Sequence, residues 1–168
     1  MPILTLIKAI QKNEVQSIDD LLSSYNKEDL KVTDKAGNSL LHYLIKYGQT
    51  EMAEKLFNYY KEFSIAEFTA LKNKQSENPL HWLIRYRRDI FVVIPKVFQP
   101  QVILAWINQP NAHGNTPLHL AVTLGNSVGI DQLLELGKQN IHINSRNFQG
   151  QTSLHIAAQK NMYALLKR

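Results

Sequence analysis

The sequence predicts an all-α solenoid of stacked antiparallel helix pairs joined by short β-turn hairpin loops. Three observations carry that prediction. First, one pattern occurs four times, as Asp34-Lys-Ala-Gly-Asn-Ser-Leu-Leu-His42, Asn73-Lys-Gln-Ser-Glu-Asn-Pro-Leu-His81, Asn111-Ala-His-Gly-Asn-Thr-Pro-Leu-His119 and Asn147-Phe-Gln-Gly-Gln-Thr-Ser-Leu-His155, with the histidines 39, 38 and 36 residues apart. A recurrence at this spacing marks a repeat array, because catalytic histidines have no reason to recur at one interval. Second, Ser39, Asn78, Thr116 and Thr152 each precede an apolar run and can cap a helix N-terminus. Pro79 and Pro117 then fall at the first helical position, where the missing N–H costs nothing. Third, Gly37, Gly114 and Gly150 suit a turn with positive φ, and the Asp or Asn opening each unit supports that turn.

Each element follows in order. Residues 1–30 read as an N-terminal capping helix pair, with Leu6 aligned on Leu41 and Leu21-Leu22 on Leu56-Phe57. Ile7 takes the histidine position and no turn precedes it, as befits a terminal unit with one neighbour. Residues 31–72, 73–109 and 110–146 are full repeats, and 147–168 form a last, incomplete one. The whole chain, 1–168, is thus one domain. Two stretches, Tyr59–Lys72 and Val97–Gln109, are apolar enough to pack, and lengthened second helices or an added short helix are expected there. Pro95 and Pro100 are expected to break the second stretch. Leu133-Leu134 follow His119 by 14 and 15 residues, and the same count from His155 passes Arg168. The chain is therefore read as cut within its last repeat.

These segments resemble the ankyrin repeat, a β-turn followed by Thr-Pro-Leu-His-x-Ala and an antiparallel helix pair. Thr116-Pro117-Leu118-His119-Leu120-Ala121 matches at every fixed position, and Thr152-Ser153-Leu154-His155-Ile156-Ala157 misses only the proline. Ser39 to Leu44 and Asn78 to Leu83 are degenerate, and Ser76 stands where the turn glycine belongs, which puts that hairpin in question. The long spacers are similar to those of ankyrin proteins from intracellular bacteria, including secreted effectors. The resemblance implies a binding module. With no membrane span and no basic n-region or cleavage site before or after Pro2–Ile7, the cytoplasm is the expected location, or the host cytoplasm for an effector. Leu136, Ile143 and Asn144 resemble in part the pattern of ankyrin asparagines hydroxylated by an oxygenase, with a structural turn asparagine as the plainer reading.

Composition narrows the function. The hydrophobic fraction of 44% supports a core, and the absence of cysteine removes disulfides and thiolate metal sites. Four of six histidines belong to the repeat, and His113 and His142 fall on loops, so no metal and no cofactor is expected. No stretch approaches the roughly 20 apolar residues of a membrane span. No phosphate loop, zinc-protease helix or paired-carboxylate motif occurs, and the sequence reads as non-enzymatic. A recruiting domain of a larger enzyme is the alternative, with a nucleic-acid module behind it. The basic residues form no continuous stripe and no reading motif accompanies them, so no nucleic acid is expected.

Binding remains, through the extended concave surface that solenoids present. The resemblance carries the family's hairpin-tip and first-helix positions to Lys35, Lys46 and Tyr47, to Lys74, Arg85 and Tyr86, to His113 and Asn115, and to Phe148. Arg87 and Arg88 extend the second group. Two units pair a base with a tyrosine at one place, Lys46-Tyr47 and Arg85-Tyr86. Residues 1–58 carry 7 Lys and Arg against 8 Asp and Glu, whereas 59–168 carry 12 against 6. A monomeric module meeting a protein partner with an acidic surface is the expectation, since basic patches speed such encounters and Arg and aromatic residues dominate hot spots.

Overall fold

The computed structural model describes residues 2–12, 14, 20, 23, 26, 28–47, 52, 60, 63–86 and 98–160. Eight α-helices occur among them: α1 (Pro2–Lys12), α2 (Leu40–Tyr47), α3 (Ile65–Thr69), α4 (Pro79–Tyr86), α5 (Pro100–Ile107), α6 (Pro117–Leu124), α7 (Ser127–Gly137) and α8 (Ser153–Gln159). No strand is formed among these residues, only an isolated antiparallel bridge between Thr33 and Ser39. The all-α solenoid expected from the repeats is the fold observed.

The helices form two rows. In the first, α1 packs on α2, α2 on α4, α4 on α6 and α6 on α8; in the second, α3 packs on α5 and α5 on α7. One apolar core runs between the rows, from Leu6 and Ile10 through Leu41, Leu44, Leu80 and Leu83 to Ala121, Leu133 and Ala157. Such a core is built by each unit burying its face against the next. Ile7, which occupies the histidine position of α1, is buried in it.

The pair α6 and α7 shows how the sequence makes its corner. Gly125 closes α6 at φ 65°, and Asn126 accepts at Oδ1 from the Gly129 N–H to start α7. The Asn126 amide also donates to the Ile84 carbonyl at 2.8 Å, tying this corner to α4 of the preceding repeat. A left-handed closing glycine followed by an asparagine cap reverses the chain within two residues.

Both spacers hold an added short helix. Ser64 caps α3, with Glu67 returning a bond to the Ser64 N–H. Pro100 does not break the second spacer but opens α5 at its first position, where proline is tolerated because that N–H has no helical partner. Pro95 lies outside the described residues, as do Leu21-Leu22 and Leu56-Phe57. An aromatic chain, Tyr60, Phe63, Phe68, Phe98 and Trp106, fills the space behind the hairpins. Its indole is satisfied, Trp106 Nε1 donating to the Phe68 carbonyl at 3.0 Å.

Candidate functional site

Four hairpin tips stand in line on one side of the first row. Within each, the opening Asp or Asn clamps its own turn. Asp34 Oδ1 accepts from the Ala36 and Asn38 N–H groups, and Asn73, Asn111 and Asn147 repeat the pattern two and four residues on. Neighbouring tips are joined by backbone bonds: Lys74 N–H to Ala36 O at 2.9 Å, Ala112 N–H to Gln75 O at 2.7 Å, and Phe148 N–H to His113 O at 3.2 Å. Gly37 and Gly114 have φ of 80° and 75°, and a Cβ there would lie 2.9 Å from Lys74 N and 2.6 Å from Phe148 N. Glycine is required at both by conformation and by the next tip's approach.

The turn held in question by Ser76 forms all the same. Ser76 adopts φ 55°, and its N–H reaches the Asn73 carbonyl at 2.8 Å. The Asn73 clamp holds a serine in the left-handed region, at a cost in conformational energy that glycine avoids.

The histidines are scaffold. Nδ1 of His42 and His119 accepts from the N–H of Ser39 and Thr116, which leaves the ring proton on Nε2, while Nδ1 of His81 lies 3.3 Å from the Asn78 N–H and 2.8 Å from Asn78 Oδ1. Nε2 then donates across to the next hairpin: to Glu77 O at 3.1 Å, Asn115 O at 3.0 Å and Gln151 O at 3.0 Å. Burial pushes His42 and His81 down to about 4, and lowers His119 as well. Both ring nitrogens are engaged, and the neutral form is held because a charged imidazole loses its hydration in the core. Among the described residues no group of three or more His, Cys, Asp or Glu is placed to hold a metal.

Beside the first two hairpins, α2 and α4 bring together the residues the sequence singled out. Lys46 Nζ lies 4.9 Å from the Tyr47 ring centroid and 5.1 Å from that of Tyr86 in the next repeat. A hydrogen bond with Tyr47 is the first cause holding the Lys46 ammonium above the usual lysine range. Behind this layer, Tyr43 stacks on Tyr47 at 6.3 Å, Trp82 meets Tyr86 edge-on at 5.2 Å, and Tyr43 and Trp82 join the two columns at 6.3 Å. The tyrosines remain open, Tyr47 by 38% and Tyr86 by 41%.

Among the described residues of this face, two carboxylates are engaged internally. Asp34 accepts from the Tyr43 hydroxyl at 2.5 Å and from the Asn38 amide. Burial raises its carboxyl, but these bonds and those from the turn N–H groups outweigh it and hold the group below the usual range. Glu77 is buried, accepting at one oxygen from Trp82 Nε1 at 3.0 Å and at the other from Arg85. Sequence reasoning had Arg85 exposed and ready for a partner's carboxylate. It is exposed, but its guanidinium already holds a carboxylate of its own chain, Glu77, across a loop-to-helix gap that no helical spacing signals. Arg85 still lies on the same face, but not as a free base.

The remaining positions divide. Lys35, Lys74 and His113 are exposed at the tips, and Asn115 is half-buried, its Oδ1 accepting from the Asn147 amide at 3.0 Å. Phe148 is 78% exposed. Arg87 and Arg88 lie outside the described residues. Tyr43 and Trp82 were missed by the sequence reading, yet each stands four residues before a singled-out tyrosine, the spacing at which helical side chains meet.

Among known proteins, the family model described as Ankyrin repeats (3 copies) matches residues 6–94 and 97–168. A putative ankyrin repeat protein of Acanthamoeba polyphaga mimivirus is 28% identical over 138 residues, 82% of this chain and 17% of that protein. Rabankyrin-5 of Homo sapiens is 29% identical over 151 residues, 86% of this chain and 12% of its own length. The nuclear factor NF-kappa-B p105 subunit of Gallus gallus is 26% identical over 136 residues, 81% and 13%. The chain therefore spans less than a fifth of each of these relatives.

Proposed function

Because the chain belongs to the ankyrin-repeat family, whose members are generally non-catalytic protein-interaction modules, we propose that it binds a protein partner through its hairpin tips and the open ends of its first-row helices. The observation that carries this reading is the register of the tips. Backbone bonds set Lys35 and Lys74, and behind them Lys46-Tyr47 and Arg85-Tyr86, side by side across two repeats. An array of this kind presents equivalent positions in one direction, and rigid tyrosines with basic neighbours make interface anchors. The partner surface it suits is acidic.

The targeting role in a bacterial effector, with its host-cytoplasmic setting, rests on the long spacers. The relatives named above come from a virus, a human and a bird. No helix among the described residues is long and apolar enough to cross a membrane.

A photo-crosslinking residue tests the binding face. Leu124→p-benzoylphenylalanine places the probe at the end of α6, and Leu134→p-benzoylphenylalanine places it on α7 in the other row; both positions are exposed. Crosslinks to a protein from position 124 but not from 134 are expected. Protein crosslinks from 134 alone, or crosslinks to nucleic acid, overturn the reading.

A further inference from the structure

The chemistry of this face singles out one cation. Of its basic groups, Arg85 is already bonded to Glu77, whose other oxygen holds Trp82. Asp34 is filled by Tyr43, Asn38 and its own turn. Lys46 has no carboxylate partner among the described residues, yet its ammonium is held in place. Two tyrosine rings from adjacent repeats hold its ammonium at 4.9 and 5.1 Å, and each ring is backed by a further aromatic. Ring faces attract a cation without neutralising it, so the charge stays available. A flexible lysine has thereby lost much of the side-chain freedom that binding would otherwise remove.

We propose that Lys46, framed by Tyr47 and Tyr86, is the seat for a carboxylate of an extended acidic segment in the protein partner. The inference rests on the binding face proposed above and names what that face recognises. The partner's Asp or Glu places its carboxylate on the Lys46 ammonium, and its neighbouring backbone and apolar side chains lie on the two tyrosine rings. Lys35 and Lys74, exposed on the adjoining tips, extend the positive field along the segment. Charge complementarity decides the occupant. With Asp34 and Glu77 engaged internally, the unpaired charges among the described residues of the face are all positive, and like-charged partners are disfavoured. Arg85 contributes by holding Glu77 away from this seat, which makes it a positioning residue and not the anion's contact.

The test selects random dodecapeptides displayed on phage against the full chain, then measures fluorescein-labelled winners by anisotropy. Enrichment of Asp or Glu is expected, with affinity falling at least tenfold for Lys46→Gln and for Tyr86→Ala. Lys138→Gln, the same charge change on an exposed residue at the end of α7, should alter affinity by less than twofold. Replacing the peptide's acids by their amides should match the Lys46→Gln loss, with no further loss when the two are combined. Circular dichroism and melting of each variant separate lost binding from lost folding, and Lys46→Arg recovers binding if Tyr86→Ala fails to fold. Winners without acids, or equal losses for Lys46→Gln and Lys138→Gln, overturn the inference. Acidic winners indifferent to Lys46 but weakened by changes at Leu124 or Phe148 overturn it and leave the binding face standing. Winners indifferent to all of these positions overturn the binding face too.

Discussion

The first two hairpin repeats and the last two make the same scaffold from different residues. In the motif position after the histidine, α2 and α4 carry Tyr43 and Trp82, whereas α6 and α8 carry Leu120 and Ile156. The next position holds Leu44 and Leu83 in the first pair but the family's alanine, Ala121 and Ala157, in the second. Where the helices end, Lys46-Tyr47 and Arg85-Tyr86 face Thr123-Leu124 and Gln159-Lys160. The repeats that match the family best therefore present the plainest face, and those that depart from it carry a layered aromatic cluster with fixed charges. Departures from a scaffold rule are where a protein spends its sequence on something besides folding.

Acid should separate the two regions most strongly. His42 and His81 are fully buried and titrate near about 4 when folded, against 6.5 for the free side chain. The folded value is the depressed one, so their contribution is complete above pH 6.5. It is lost as pH falls through the window down to about 4, where the unfolded chain takes up protons the native chain refuses. Each shift corresponds to about 3 kcal/mol. Urea unfolding at pH 7.5 and 4.5 should show that loss, and amide exchange at pH 4.5 should open α2 and α4 before α6. Equal opening of all three would erase the distinction.

Next in size is a pair of alanine substitutions at turn glycines. Gly114→Ala meets both a left-handed φ of 75° and the Phe148 backbone at 2.6 Å, whereas Gly150→Ala meets φ 74° and nothing within 4 Å. The first should destabilise by about 3 kcal/mol and the second by about 1 kcal/mol. Thermal unfolding checks the ordering, and equal costs would mean that the tip contact contributes nothing.

Glu77→Gln sharpens the contrast at the face itself. The amide oxygen can still accept from Trp82, but Arg85 loses its charged partner. Stability should fall by about 1 kcal/mol, modest because the pair is partly solvated, while affinity for acidic peptides rises. An effect of similar size, but favourable, is expected of Ser76→Gly. Relieving φ 55° in a serine should raise stability by about 1 kcal/mol, read from the urea midpoint.

The sequence showed the scaffold well because its signals are local. The caps Asn78, Thr116 and Thr152, the prolines Pro79 and Pro117, the turn glycines and the Asx clamp each act within about four residues and stand where the sequence put them. Pro100, by contrast, opens a helix in the stretch it was expected to break. Ser76 misled because glycine was weighed above Asn73, although the clamp is common to all four turns and the glycine is not. The face was only half legible. Lys46, Tyr47 and Tyr86 were found by their recurrence, but the bond from Arg85 to Glu77 depends on how a loop folds back over a helix. One hint was present: Glu77 is the acid in a position that elsewhere holds Asn38, Asn115 and Gln151. Leu21-Leu22 and Leu56-Phe57, on which the expected second helices of the early repeats rest, lie outside the described residues.

That same Glu77 gives the array a mechanical weak link. The first and third joints between hairpins have a side-chain rung, Asn73 to Asn38 at 3.1 Å and Asn147 to Asn115 at 3.0 Å. At the middle joint Glu77 turns away to Arg85 and Trp82, so that among the described residues the hairpin edge is spanned there by one backbone bond and the His81 bond, with the Asn126 bond to Ile84 behind it. Stretched along its length, the hairpin edge behaves as three springs in series with the softest at the centre. A tensile load or a thermal fluctuation opens it there first, next to the aromatic face.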